Sequence, residues 1–150
     1  MARTGILNIT EASAIGMHAL AAVAAAGRPV SAKEVSGMLK VSHAHLSKVM
    51  RQLVRADLLN SATGPGGGFT TTRSPNTITM LEVLEAVDGK FRPSCCLLGK
   101  TACAVVCPLG GFLGEMNNKV REMFVEVTVE KLAAALSEAG KKACIEKAGK

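Results

Sequence analysis

The stretch that decides the fold is Val30-Ser-Ala-Lys-Glu-Val-Ser-Gly-Met-Leu-Lys-Val-Ser-His-Ala-His-Leu-Ser-Lys-Val-Met-Arg-Gln-Leu-Val-Arg55. Ser31, with Glu34 three residues on, forms a capping box, and Val35, Met38 and Leu39 give the short helix that follows an apolar stripe. Val41 closes a tight turn. Ser42 then starts a second helix with Leu46, Val49, Met50 and Leu53 on one face and His43, His45, Ser47, Lys48, Arg51 and Gln52 around the others. Two short helices joined by a short turn, the second basic and amphipathic, form a helix-turn-helix. Such a unit places the exposed N-terminal part of its second helix in the major groove of duplex DNA, while flanking cations meet phosphates. Ser42, His43 and His45 are therefore candidate base readers. Lys48, Arg51, Arg55 and Lys33, with Arg28 beside them, are candidate phosphate contacts. For either histidine alone a solvated helix face would be the simpler reading. Capped helices, turn and basic face arriving in order favour DNA.

Upstream, Thr10 can cap a helix running to Ala26, where Gly27, Arg28 and Pro29 end it. The apolar run within it, Ala12 to Gly27, is too short to span a bilayer. A signal peptide is argued against by the polar stretch Asn8 to Glu11 and by the helical pattern that carries on, so a cytoplasmic, nucleoid-associated protein without a membrane partner is expected. Downstream, Leu58, Leu59 and Ser61 can form a strand and Phe69 to Thr72 a second, with Gly64, Pro65, Gly66, Gly67 and Gly68 between them. The glycine-rich tip lacks the Gly-Lys-Ser/Thr ending and the following helix of a nucleotide loop. A hairpin directly after a helix-turn-helix is instead a wing, with Gly66 and Gly67 as candidate DNA contacts at its tip. Thr79 caps a further helix carrying Leu81, Val83, Leu84 and Val87 and ending near Gly89. The predicted fold class is mainly α: a winged helix-turn-helix with a two-stranded wing and a long C-terminal helix.

Composition agrees with that reading. The 150 residues suffice for one domain and an extra element, and 48% hydrophobic against 20% charged residues supply a core. There is no Trp, no Tyr and four Phe, which excludes modules that stack single-stranded bases on aromatic platforms. The formal charge is +6, and residues 28 to 73, with seven cations against two carboxylates, hold +5 of it. No Ser/His/Asp order, metal-hydrolase motif or nucleotide loop is present, so an enzyme is not expected.

From Lys90 to Gly111 the chain reads as an irregular loop holding Cys95, Cys96, Cys103 and Cys107. In a reducing compartment these cysteines point to metal or redox chemistry. An iron-sulfur cluster, a tetrahedral zinc site and a thiol switch are all compatible with them, and a small iron-sulfur electron-transfer or scaffold protein is the alternative that needs no DNA. Leu97, Leu98, Val105 and Val106 would limit solvent access to a cluster. From Phe112, Met116, Val120, Met123 and Val127 recur as a seam that one helix cannot bury alone, which predicts a dimerisation helix over 112–127. Val125, Val127 and Val129 alternate like a strand. That conflict is resolved as a helix ending near Val127, then a short helix capped by Thr128 with Leu132, Ala135 and Leu136. A lysine-rich, frayed tail follows from Gly140, with Cys144 an incidental thiol. The predicted organisation is thus a winged-helix domain over 1–90, a cysteine sensor loop over 91–111, a dimerisation helix and short C-terminal helix over 112–139, and a basic tail over 140–150.

The series Glu11 to Ala22, Val30-Ser-Ala-Lys-Glu-Val35, Val41-Ser-His-Ala-His-Leu-Ser-Lys-Val49, Leu53-Val-Arg-Ala-Asp-Leu-Leu59, Gly64-Pro-Gly-Gly-Gly-Phe69 and Thr77 to Gly89 resembles the Rrf2 family of bacterial winged-helix regulators. That group includes regulators of iron-sulfur clusters, nitric-oxide response and cysteine metabolism. The resemblance covers nearly the whole chain, and its most specific piece is the Gly-Pro-Gly-Gly-Gly wing followed by the Thr-to-Asp-Gly helix. It implies a repressor that binds a pseudo-palindromic operator as a homodimer joined through the long helix after the cysteine loop. It also favours an iron-sulfur cluster, [2Fe-2S] or [4Fe-4S], on Cys96, Cys103 and Cys107. The fourth ligand would be Cys95 or a group such as Asn8, Glu11, His18 or His43 from a second copy. Departures are Thr63 where the family usually has a basic residue before the wing, Gly16 where an Arg is common, and the closer spacing of Cys103 and Cys107. The first two imply weaker wing and scaffold contacts.

Overall fold

The computed structural model describes residues 9–92, Cys96 and residues 107–148. Its central element is α1 (Glu11–Ala26), into which the Ala-rich apolar run folds. Thr10 Oγ1 accepts from the Ser13 amide at its start and Gly27 takes the left-handed conformation, φ 61°, at its end. Ile15, Met17, Ala19, Leu20, Ala21 and Val23 are buried, and α1 touches every later helix except α5 closely. The small alanines let those neighbours approach, which explains a segment apolar around most of its circumference.

The helix-turn-helix forms as read: α2 (Ala32–Leu39) with its Ser31/Glu34 capping box, and α3 (His43–Arg55) capped by Ser42. Leu46, Val49, Met50 and Leu53 of α3 join Leu20, Val35 and Val83 in the core. The wing pairs β1 (Leu59–Ala62) antiparallel with β2 (Gly68–Thr71), in the register Leu59 to Thr71 and Ala62 to Gly68. The strands differ by one residue from the sequence reading. On the far side of β2, Val30 exchanges both backbone hydrogen bonds with Phe69, at 3.1 and 2.8 Å. That bridge anchors the wing to the start of the helix-turn-helix. A turn of 3-10 helix (Pro75–Thr77) leads to α4 (Met80–Asp88), capped by a Thr79/Glu82 box.

The C-terminal part corrects two expectations and adds a contact. Helix α5 spans Pro108–Glu126, so it begins inside the segment read as loop. Proline at the first helical position loses no hydrogen bond, and Gly110 and Gly111 are tolerated behind it. Second, α6 is neither short nor followed by a frayed tail at Gly140: it runs Val129–Ala148. Ala, Lys and Glu on both sides of Gly140 are strong helix formers and outweigh the cost of about 1 kcal/mol for one glycine. In addition, α6 returns to the winged domain and packs along α1, with Val129 fully buried. The turn before it explains the valine alternation. Thr79 and Thr128 form an isolated antiparallel bridge, with Met80 N–H donating to Val127 O and Val129 N–H to Ile78 O, both at 2.9 Å. Among the described residues, no helix is long and apolar enough to cross a membrane.

Candidate nucleic-acid interface and cysteine segment

The two faces of α3 separate cleanly. Ser42, His43, Ala44, Lys48, Arg51 and Arg55 are exposed and His45 is half-buried, whereas Leu46, Val49, Met50 and Leu53 are buried. Lys40 makes the turn between the helices in the left-handed conformation, φ 54°, and Ser42 Oγ accepts from the His45 amide at 3.4 Å. Lys33 is exposed on α2. Among the described residues, none of Lys33, Lys48, Arg51 and Arg55 belongs to an ion pair, so their charges face solvent uncompensated. Arg28 differs from the sequence reading. Its guanidinium lies 2.8 Å from Glu34, which itself completes the α2 cap. That bond and the Glu34 charge raise the Arg28 pKa, and the Arg28 bond and the Ser31 amide hold Glu34 below the ordinary carboxylate range.

In the wing, Gly64 and Gly66 adopt positive φ, 97° and 79°, and both are exposed. Gly67 is half-buried and folds back: a Cβ there would lie 2.4 Å from the Ala62 carbonyl oxygen. Thus Gly66 is available at the tip, while Gly67 is needed for the turn itself. Thr63 is exposed beside them. At the base of the wing Arg73 pairs with Glu82 of α4. Burial would push the Glu82 carboxyl up, but the Thr79 amide and Arg73 outweigh it and the net direction is down.

Of the candidate cluster ligands, Cys96 is half-buried and Cys107 is an exposed thiol at the N-cap of α5, with its carbonyl accepting from Gly110 N–H at 3.0 Å. Cys95, Cys103, Leu97, Leu98, Val105, Val106 and Asn8 lie outside the described residues, as does the side chain of Cys144. Cysteine sulfurs are the soft donors that an iron-sulfur group takes, and among the described residues no three His, Cys, Asp or Glu side chains come together as a metal site. Glu11 and His43 are exposed. His18 is exposed on α1, with Nδ1 2.8 Å from the Ala14 carbonyl, and borders an apolar cavity of about 230 Å³ lined by Met17, Met80, Met123, Phe124 and Val127.

The seam on α5 is less covered than a core stripe. Met116, Val120 and Val127 are half-buried and Met123 is 60% exposed, while Leu109 and Phe112 extend the stripe at 51% and 54%. Leu113 and Asn117 are the buried positions of that helix.

Sequence reading missed the last turn of α4. Asp88 accepts from the Thr10 amide at 3.3 Å, Thr10 Oγ1 at 2.7 Å and Ser13 Oγ at 2.6 Å. Gln52 of α3 donates to the Val87 carbonyl at 3.3 Å, and Glu85 accepts from the Phe91 amide at 3.0 Å and from Lys90 Nζ at 3.1 Å. The available signal was Ser13, a polar residue inside an apolar helix and fully buried in the structure.

A model of the Rrf2 family, described as an iron-dependent transcriptional regulator, matches residues 9–135. BadM of Rhodopseudomonas palustris, which carries an HTH-type transcriptional regulator name, is 35% identical over 79 residues, covering 52% of this chain and 51% of that relative. The chain thus spans about half the length of that curated relative. The HTH-type transcriptional regulator NsrR of Shouchella clausii is 26% identical over 105 residues, 68% of this chain and 70% of the relative. The regulator IscR of Cereibacter sphaeroides is 37% identical over 59 residues, 39% of this chain and 38% of the relative. Among solved structures, the global cysteine regulator CymR of B. subtilis superposes with a TM-score of 0.73 at 22% identity, covering 86% of this chain and 98% of its own. IscR of T. potens gives 0.69 at 18%, covering 89% and 90%. At these identities the likeness to solved structures concerns the fold.

Proposed function

The chain belongs to the Rrf2 family of helix-turn-helix transcriptional regulators, and from that premise we propose that it is a sequence-specific repressor that binds a pseudo-palindromic duplex as a homodimer. The observation that carries this reading is the exposed, uncompensated face of α3 set beside a wing. Ser42, His43 and His45 read base edges in the major groove. Lys33, Lys48, Arg51 and Arg55 bind phosphates and supply the salt-dependent affinity, with Gly66 meeting the backbone at the wing tip. Two copies joined along α5 present their α3 helices to half-sites about one helical turn, or a small multiple, apart.

The cysteine segment is the sensor in this proposal. Cys96, Cys103 and Cys107, with Cys95 or a side chain from a second copy, would hold an iron-sulfur cluster, which when bound supplies a centre sensitive to redox state, iron or nitric oxide. Exposure of the Cys107 thiol favours a second reading, a thiol switch without a metal. Anaerobic reconstitution with iron and sulfide separates these. Uptake of iron with visible charge-transfer absorption, lost in a Cys103→Ala, Cys107→Ala variant, supports the cluster; zinc in a colourless protein, or no metal uptake, rejects it.

A further inference from the structure

The last turn of α4 meets more of the molecule than any surface turn needs to. On one side Asp88 holds the start of α1 through Thr10 and the buried Ser13. On a second side the Val87 carbonyl receives Gln52 of α3, the helix with the DNA-reading face. The Val87 side chain and that of Val49 of α3 both border Gly16 of α1, where a Cβ would lie 3.2 Å from Val87 Cγ2 and 3.3 Å from Val49 Cγ1. On a third side Glu85 gathers the chain leading into the cysteine segment. It accepts from the Phe91 amide at 3.0 Å and from Lys90 at 3.1 Å, and its side chain is 24% exposed. Burial would raise its pKa, but the Phe91 amide, Lys90 and the charge of Arg121 on α5 together lower it, so the carboxylate is the form that all these groups stabilise. One helical turn therefore joins the start of α1, the reading helix, the start of the cysteine segment and α5.

We propose that this turn, Glu85 to Gly89, is the element that couples the state of the cysteine segment to the DNA-reading helix, with Glu85 as its positioning residue. The proposal rests on the reading of the segment as a sensor. Closely packed contacts transmit displacement because they cannot be compressed, and at Gly16 side chains of α3 and α4 approach α1 so closely that a Cβ there would crowd both. A change in the cysteine segment that draws on the chain after Arg92 reaches the Phe91 amide first, and through Glu85 acts on a turn already bound to α3 and α1. Only a small reorientation of α3 is needed, since coupling of about 5- to 150-fold is typical of such linkages.

The test uses the full chain and a duplex selected by it from a random-sequence pool. Affinity is measured for three states: reduced, reconstituted with iron and sulfide, and alkylated with iodoacetamide. The coupling factor is the largest ratio among them. Wild type should give at least about fivefold. Glu85→Ala should bring the factor below about twofold while the reduced form keeps its affinity within about twofold, because Glu85 lies away from the reading face. Glu85→Gln, which keeps an oxygen for the Phe91 amide and loses the charge facing Lys90 and Arg121, should fall between and serves if the alanine variant does not fold. A purely structural role would lower the affinity of all states in parallel and leave the ratio intact. A wild-type factor retained in both variants overturns the coupling role of the turn alone. Equal affinity of all three wild-type states overturns the sensor reading, and the coupling with it.

Discussion

At Gly16 three helices meet over a hydrogen atom. A side chain there would press on Val87 and Val49 at 3.2 and 3.3 Å, so the arginine that the family resemblance sets at this position has no place in this packing. Gly16→Val should destabilise the fold by about 1–3 kcal/mol in urea unfolding through overpacking. Gly16→Ala should cost less, since a gain of about 1 kcal/mol in helix propensity opposes the squeeze on two valine methyls. His45 illustrates the opposite case, a residue whose worth lies in its partner. His45→Ala should leave the unfolding midpoint nearly unchanged and shift the preference among selected duplexes by about 1–3 kcal/mol at one base position, measured by competition binding. If preference stays flat, His45 does not read a base. The exposed residues of α3 were legible in the sequence because a 3.6-residue period separates them from Leu46, Val49, Met50 and Leu53. Arg28 was misjudged as a free cation because its partner, Glu34, was already assigned to a cap.

At the scale of elements, caps decide what can be read. The boundaries of α2, α3 and α4 follow from Ser31, Ser42 and Thr79, each bonding an amide within three residues, and local chemistry of that kind is visible in a sequence. The start of α5 and the course of α6 depend on tertiary context. The bridge between Thr79 and Thr128 joins residues far apart in the chain, and the packing of α6 along α1 cannot be inferred from either helix alone. The carboxylates that accept from backbone amides have a further consequence. Glu34, Glu82 and Glu85 all have pKa values lowered in the fold, so each contributes stability that is complete above its unfolded value, about 4.3. That contribution is lost as pH falls through the lower folded values. Urea midpoints should therefore hold level from pH 7 to about 5 and decline below about 4.5, and Glu82→Gln should flatten the decline. An unfolding midpoint that rises with acidification would contradict the role given to these carboxylates.

For the whole molecule, the open stripe of Leu109, Phe112, Met116, Val120 and Met123 on α5 is the surface on which the proposed dimer depends. A Phe112→Glu, Met123→Glu variant should sediment as a monomer at micromolar concentration with its helix content retained, whereas wild type should sediment as a dimer. The helix-turn-helix and the wing could be traced from sequence order alone, while the junction at the end of α4 could not, since it joins Thr10, Gln52 and Phe91 through a single turn. The central claim is that the cationic face of α3 binds duplex DNA, and the dependence of affinity on salt tests it most directly. Neutralising four phosphates per copy in a dimer should give a slope of log affinity against log salt of about −7, with Lys48→Ala, Arg51→Ala flattening it by about two per copy. A variant whose affinity and slope match those of wild type would show that DNA binds elsewhere.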